Sequence, residues 1–156
     1  ARDRPRPHGS RPLATSVRET VSRWEPKLGP DRRLVVECEA HLPWVQASPA
    51  ALRQILDVII DNAVTHASGE IRLSAFRVGN GAVVALADSG DKIVDPDRIF
   101  ERRRVDSAGS GIGLALARRL AEAEDLRLVV AHPGPGVVIH LVFGGSPSSA
   151  ERPAPR

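Results

Sequence analysis

Apolar residues recur at helical spacing over three stretches of the chain and at alternate positions over most of the remainder. Between residues 48 and 67 (SPAALRQILDVIIDNAVTHA), Leu52, Ile55, Leu56, Ile59, Ile60 and Ala63 return every three or four residues. That period predicts an amphipathic helix with one apolar stripe. Ser48 offers a capping hydroxyl, and Pro49 fits the first turn, where its missing N–H is no loss. At about 100° per residue, Val58, Asn62 and His66 form a row along one edge of the stripe. Asp57 and Asp61 are expected on the far, solvated side, with Arg53 one turn before Asp57. Asn62 then stands on the border between core and surface, either as a ligand group or as an ordinary helix-surface amide.

The other elements follow in order. Leu13, Val17, Thr20, Val21 and Trp24 predict a first helix that Pro26 stops. Leu34, Val36 and Cys38 alternate in a strand over 34–39, with Cys38 expected as a small buried core residue. A shorter strand surrounds Trp44 and Val45. Ile71, Leu73 and Ala75 alternate with Arg72, Ser74 and Phe76, and Gly79-Asn80-Gly81 turns that strand into a hairpin with 82–87. Asp95-Pro96-Asp97 would cap a short helix through Arg102. A third long helix is expected over 111–125, with Leu114, Ala117, Leu120 and Ala121 inward. Strands over 126–131 and 137–143 are joined by Pro133-Gly134-Pro135-Gly136. Hairpins plus three main helices predict an α/β (α+β) two-layer sandwich: a mixed, mostly antiparallel sheet of about five strands with the helices on one face. Residues 1–12 read as a linker and 145–156 as a disordered tail, leaving one domain over 13–144.

Composition changes this picture little. A chain of 156 residues suits one domain, and 42% hydrophobic against 3% aromatic residues points to an aliphatic interior. Lys+Arg 22 against Asp+Glu 19 gives a net charge of only +3, with no basic run interleaved with aromatics, so nucleic acid is not expected as a partner. One cysteine excludes an internal disulfide and any multi-cysteine zinc site. No apolar run approaches the ~20 residues of a membrane span and no signal peptide is present. The chain, which has no Met, reads as a soluble piece of a larger protein.

The strongest chemical signal is GSGIGLALARRLAEA, 109–123. Glycines at alternate positions opening a helix leave backbone N–H groups bare, and the helix dipole adds positive potential at the same end. Phosphate oxygens fit there; a glycine turn for close packing is the alternative. The spacing is not that of a dinucleotide fold, and no Walker lysine follows it. Asn62 lies upstream, and Asp88-Ser89-Gly90 falls between the two.

In that order, ILDVIIDNAVTHA, ADSGDKI and RIFERRRVDSAGSGIGLALARRLAEA resemble the N box, the first glycine box, and the F box, lid and second glycine box of sensor histidine kinase catalytic domains. That family shares the Bergerat nucleotide fold with gyrase, mismatch-repair and chaperone ATPases, and the resemblance covers roughly 13–143. It implies an ATP-binding domain that transfers the γ-phosphoryl of Mg-ATP to a histidine on a separate dimerisation domain. Asn62 would offer its amide oxygen to Mg²⁺, Asp88 would accept from the adenine amino group, and Gly90 would admit the base. His66, Ile93, Ser110, Ile112 and Leu114 would line the nucleotide, and Gly109, Gly111 and Gly113 would hold phosphate through main-chain N–H groups. Phe100 would anchor the lid, and Arg102, Arg103 or Arg104 could reach phosphate.

The resemblance further implies partners. These are a phosphoacceptor helical hairpin of the same protein, entering through residues 1–12, and a cognate response regulator. The full-length protein would be a homodimer and this fragment a monomer, forming the cytoplasmic domain of a membrane-bound sensor. None of the five histidines has the acceptor context. Val58, Thr65, Lys92, Arg103 and Val137 depart from the family pattern, which leaves open a nucleotide-binding or interaction module without phosphotransfer. A free-standing ATPase is disfavoured, because Val58 cannot activate water.

Overall fold

The structure, a computed structural model, describes residues 10–67, 69–89, 112–132 and 134–144. The short helix expected before Arg102, Phe100, Lys92, the three arginines 102–104 and both chain ends beyond 10 and 144 lie outside them.

The 48–67 stretch folds as anticipated. Helix α2 spans Pro49–His66, and the Ser48 hydroxyl accepts from the Ala51 N–H at 3.4 Å. All six residues of its apolar stripe are fully buried, which makes this helix the main wall of the core. Helix α1, Leu13–Trp24, buries Leu13, Val17, Thr20 and Trp24 and gives way to a 3₁₀ turn, Glu25–Lys27, that contains Pro26. Helix α3, Ile112–Ala123, turns Leu114, Ala117 and Ala121 inward. The Ser48 N–H donates to the Glu124 carboxylate at 3.0 Å, tying the start of α2 to the residue after α3.

Strands β2 (Arg33–Cys38), β4 (Glu70–Val78), β5 (Gly81–Ala87), β6 (Arg127–His132) and β7 (Val138–Phe143) form one sheet in the order β2-β4-β5-β7-β6. Only β2 and β4 run parallel, with α2 on the connection between them. Alternation decides the core face: Ile71, Leu73, Ala75, Ala82, Val84, Leu86, Ile139, Leu141 and Phe143 are buried against the helices. The Gly79-Asn80 turn closes β4 onto β5 with Gly79 at φ +56°. A Cβ on Gly81 would run into the Phe143 carbonyl oxygen, so only glycine lets these two strands meet at that end.

Four findings differ from the sequence expectation. Ser10–Pro12 forms a short strand, β1, antiparallel to β3 (Trp44–Gln46). Three residues are too few to carry a period, and the pairing partner is more than thirty residues away. Cys38 is exposed rather than buried. It ends the outermost strand of the sheet, where Val36 is already 37% exposed, so alternation there no longer faces a covered core. Its remaining partial burial raises the thiol pKa against a smaller opposing pull from the Arg18 charge, which disfavours the thiolate form.

The third and largest difference is Asp57, expected in solvent. It accepts from Arg23 at 2.7 Å and from the Trp24 indole N–H at 2.9 Å, with Arg53 at 3.9 Å. It therefore clamps the end of α1 to the middle of α2. Asp57→Ala strands a nearly buried indole N–H and is expected to cost about 2 kcal/mol, whereas Asp57→Asn keeps an acceptor and should cost less than about 1 kcal/mol. Denaturant midpoints of the two variants check this. Fourth, the third helix ends at Ala123, two residues short of the range read from its pattern, while Gly111 lies outside the described residues.

On the face away from the helices, His140 meets Phe76 edge to face across β5, with ring centroids 6.2 Å apart. Partial burial lowers the His140 pKa below the ordinary histidine value. A base with a depressed folded pKa is protonated first in the unfolded chain. Its cost is therefore absent above the unfolded pKa of about 6.5 and grows as pH falls below it. His140→Gln should flatten the stability curve between about pH 6.5 and 5, read from unfolding midpoints along a pH series.

Candidate functional site

The last two turns of α2 carry the polar row that the helical period puts beside the apolar stripe. Asn62, Thr65 and His66 open onto a cavity of about 560 Å³ whose opposite wall is the first turn of α3, through Gly113 and Leu114. Asn62 is half-buried, and its side-chain amide makes no hydrogen bond among the described residues. An amide on a cavity wall with both ends unpaired is available to a ligand. The N–H groups of a helix's first turn have no intrahelical acceptor and sit at the positive end of its dipole. α3 thus turns toward the cavity the helix end that anions prefer.

Four residues singled out from the sequence come together here: Asn62, His66, Gly113 and Leu114. Ile112 is the first residue of α3. Asp88 follows the last residue of β5, half-buried, with its backbone N–H donating to the Val137 carbonyl at 3.0 Å. It is not among the side chains lining the cavity. Gly90, Ile93, Gly109, Ser110 and Gly111 lie outside the described residues.

The same cavity has a second wall that local patterning missed. Trp24 and Lys27 border it from the end of α1 and the 3₁₀ turn, the Lys27 ammonium standing 4.9 Å from the indole centroid. Arg53, Gln54 and Asp57 extend it along α2 toward the helix start, and Asp61 adds a carboxylate beside Asn62. The only signal for this wall was the Trp24, Lys27 spacing, which also suits plain core packing. Val58 and Thr65, the two departures from the family pattern on this helix, both line the cavity. Val137 is buried beside Asp88.

Among the described residues no three His, Cys, Asp or Glu side chains gather as a metal cluster. None of their helices is long and apolar enough to cross a membrane.

Residues 47–145 match the model of the histidine kinase-, DNA gyrase B- and HSP90-like ATPase family. The chain is 34% identical over 146 residues to sensor protein PfeS of Pseudomonas aeruginosa, covering 83% of this chain and 31% of that one. It spans between 24% and 40% of the length of the first three curated relatives it matches. The catalytic domain of histidine kinase ThkA shares its fold with a TM-score of 0.78 at 20% identity, over 90% of this chain and 97% of that one. Full-length ShkA, solved in complex with AMPPNP, superposes with a TM-score of 0.71 at 28% identity, over 88% of this chain and 32% of that one. With the family model covering most of the chain, and a matching fold and order of motifs, this chain belongs to the histidine kinase-, DNA gyrase B- and HSP90-like ATPase family.

Proposed function

We propose that this domain binds Mg-ATP between α2 and α3 and passes the γ-phosphoryl group to a histidine on a separate dimerisation domain, as the catalytic half of a two-component sensor kinase. The observation that supports this most is the convergence of Asn62, His66, Gly113 and Leu114 on one cavity. Its volume of about 560 Å³ falls in the range of small-molecule sites. The AMPPNP bound to ShkA supports a triphosphate as the guest.

The residues fit magnesium. A hard, neutral oxygen on a half-buried amide, with no cluster of three His, Cys, Asp or Glu side chains among the described residues, suits an ion that keeps waters and phosphate oxygens as its other ligands. Bound there, Mg²⁺ would supply positive charge against the charge that develops on the phosphates. Asn62 would hold that ion, and the first-turn N–H groups of α3 would hold phosphate. By the motif resemblance, Asp88 would accept from the adenine amino group and Gly90 and Ile93 would contact the base. On the same resemblance, Gly109, Ser110 and Gly111 would contribute main-chain N–H groups to phosphate, with His66 on α2 facing the same cavity.

The acceptor imidazole attacks the γ-phosphorus in line. A nitrogen–phosphorus bond forms as the bond to the β–γ bridging oxygen breaks, and ADP leaves. The nucleophile brings its own lone pair, so α2 needs no general base. Val58 in the cavity wall is consistent with that.

The partners are then the acceptor hairpin and a response regulator that takes the phosphoryl group onward, with the whole protein working as a dimer. ATP as donor puts the domain on the cytoplasmic side of any membrane the whole protein spans. Incubating the chain and its acceptor hairpin with Mg²⁺ and γ-labelled ATP should yield acid-labile, base-stable label on the hairpin. Nucleotide binding without label there favours the second reading, a binding module without phosphotransfer, which Val58 and Thr65 in the cavity wall support.

A further inference from the structure

The cavity runs along α2 from Ala50 to His66, and an anion held at its Asn62 end lies near two helix ends of opposite sign. α3 offers its positive end through Gly113 and Leu114, but α2 offers its negative one. Asn62, Thr65 and His66 all lie in the last two turns of Pro49–His66. The final carbonyls of a helix lack intrahelical donors and carry the negative half of its dipole, equivalent to roughly half an elementary charge. A triphosphate held by Asn62 would sit beside that charge.

Arg32, in the turn before β2, reaches those carbonyls. One terminal guanidinium nitrogen, Nη1, donates to Ala67 O at 2.7 Å and to Val64 O at 3.2 Å, and Nη2 donates to Ala63 O at 3.4 Å. Its Nε is shut off from solvent without a hydrogen-bond partner, so the head group is inserted at the helix end rather than lying over it. No carboxylate pairs with Arg32 among the described residues. Neutral donors would satisfy three carbonyls equally well. A full positive charge with no carboxylate partner among the described residues does something more: it offsets the negative potential at this end of α2.

We infer that Arg32 is an electrostatic positioning residue for the nucleotide's phosphates, cancelling the negative end of α2 so that the turn carrying Asn62 and His66 can lie against a triphosphate. The inference rests on the Mg-ATP reading above. Arg32 acts through the helix end and touches no nucleotide, so its effect should scale with ligand charge.

The test is calorimetric titration of the chain with Mg-ATP and, separately, with adenosine, for the wild type, Arg32→Gln and Arg32→Lys. Arg32→Gln is expected to weaken Mg-ATP about fivefold, within the range of helix-end charge effects, and adenosine by less than about twofold. Arg32→Lys, which keeps the charge with fewer hydrogen bonds, should hold both within about twofold. Equal losses for the two ligands in Arg32→Gln would reveal a purely structural cap and overturn the inference. So would an Arg32→Lys variant that loses Mg-ATP but not adenosine. If Arg32→Gln does not fold, the ratio of the two affinities in Arg32→Lys decides: unchanged from wild type supports the charge role, and a reduced ratio overturns it. A wild-type chain that binds neither ligand removes the nucleotide reading itself and this inference with it.

Discussion

Asn62→Ala is expected to lower Mg-ATP affinity by about 100-fold, the upper end of what supporting partners of a metal site contribute and a minimum for a direct ligand. The size of that loss follows from what the Asn62 side chain does in the free protein. It is half-buried on the cavity wall and makes no hydrogen bond among the described residues. Truncating it therefore breaks nothing that holds the fold, and alanine has the higher helix propensity. The melting temperature should stay at or slightly above that of the wild type while nucleotide affinity collapses. Titrating Mg-ATP by calorimetry beside a thermal melt separates the two quantities. Adenosine, which carries no phosphate for the ion to bridge, should bind Asn62→Ala and wild type alike. A variant that keeps its Mg-ATP affinity would exclude Asn62 as the ligand.

Asp88→Asn should change which base is accepted as much as how tightly. A carboxylate is acceptor-only, so it favours the amino group of adenine and repels the carbonyl of guanine. An amide can turn to present either end. Replacing a charged hydrogen bond with a neutral one is expected to weaken ATP about tenfold. Losing the repulsion should bring GTP to within about tenfold of ATP, because the rejecting element is gone. The substitution is isosteric, and the strand end is held by the main-chain bond from Asp88 N–H to Val137 O at 3.0 Å. Competition of ATP and GTP for the same preparation measures the ratio directly. An unchanged preference would mean that another group reads the base.

The elements that the sequence revealed share one property: their signals are local. The period of α2, the Ser48 cap and the Gly79-Asn80 turn are each complete within about twenty residues of chain, and each appears in the structure. The border position of Asn62 followed from the same period, as did the first-turn position of Gly113. What stayed hidden depends on partners far away in sequence. Asp57 looks solvated on a helical wheel because its acceptor role is set by Arg23 and Trp24 on another helix. Arg32 has no local meaning until the end of α2 folds beside it. The Trp24 and Lys27 wall exists only once α1 docks on α2. Cys38 failed for a different reason. Alternation reports which residues share a side of a strand, not whether anything covers that side at the sheet edge.

This contrast separates two layers of the account. The family rests on the match over residues 47–145, and the placing of Asn62 with Gly113 on the packing of α2 against α3. The assignment of Asp88 to the base rests on the motif resemblance and on the acceptor chemistry of a carboxylate, since Asp88 does not line the cavity.

The measurement that bears most directly on the whole account is a backbone amide chemical-shift map of the chain titrated with Mg-AMPPNP. Saturable shifts concentrated at Asn62, Thr65, His66, Gly113 and Leu114, with Asp88 joining them, are the predicted result. Shifts clustered instead around the smaller cavity beside Trp44 and Glu124, or none at saturating nucleotide, would contradict it.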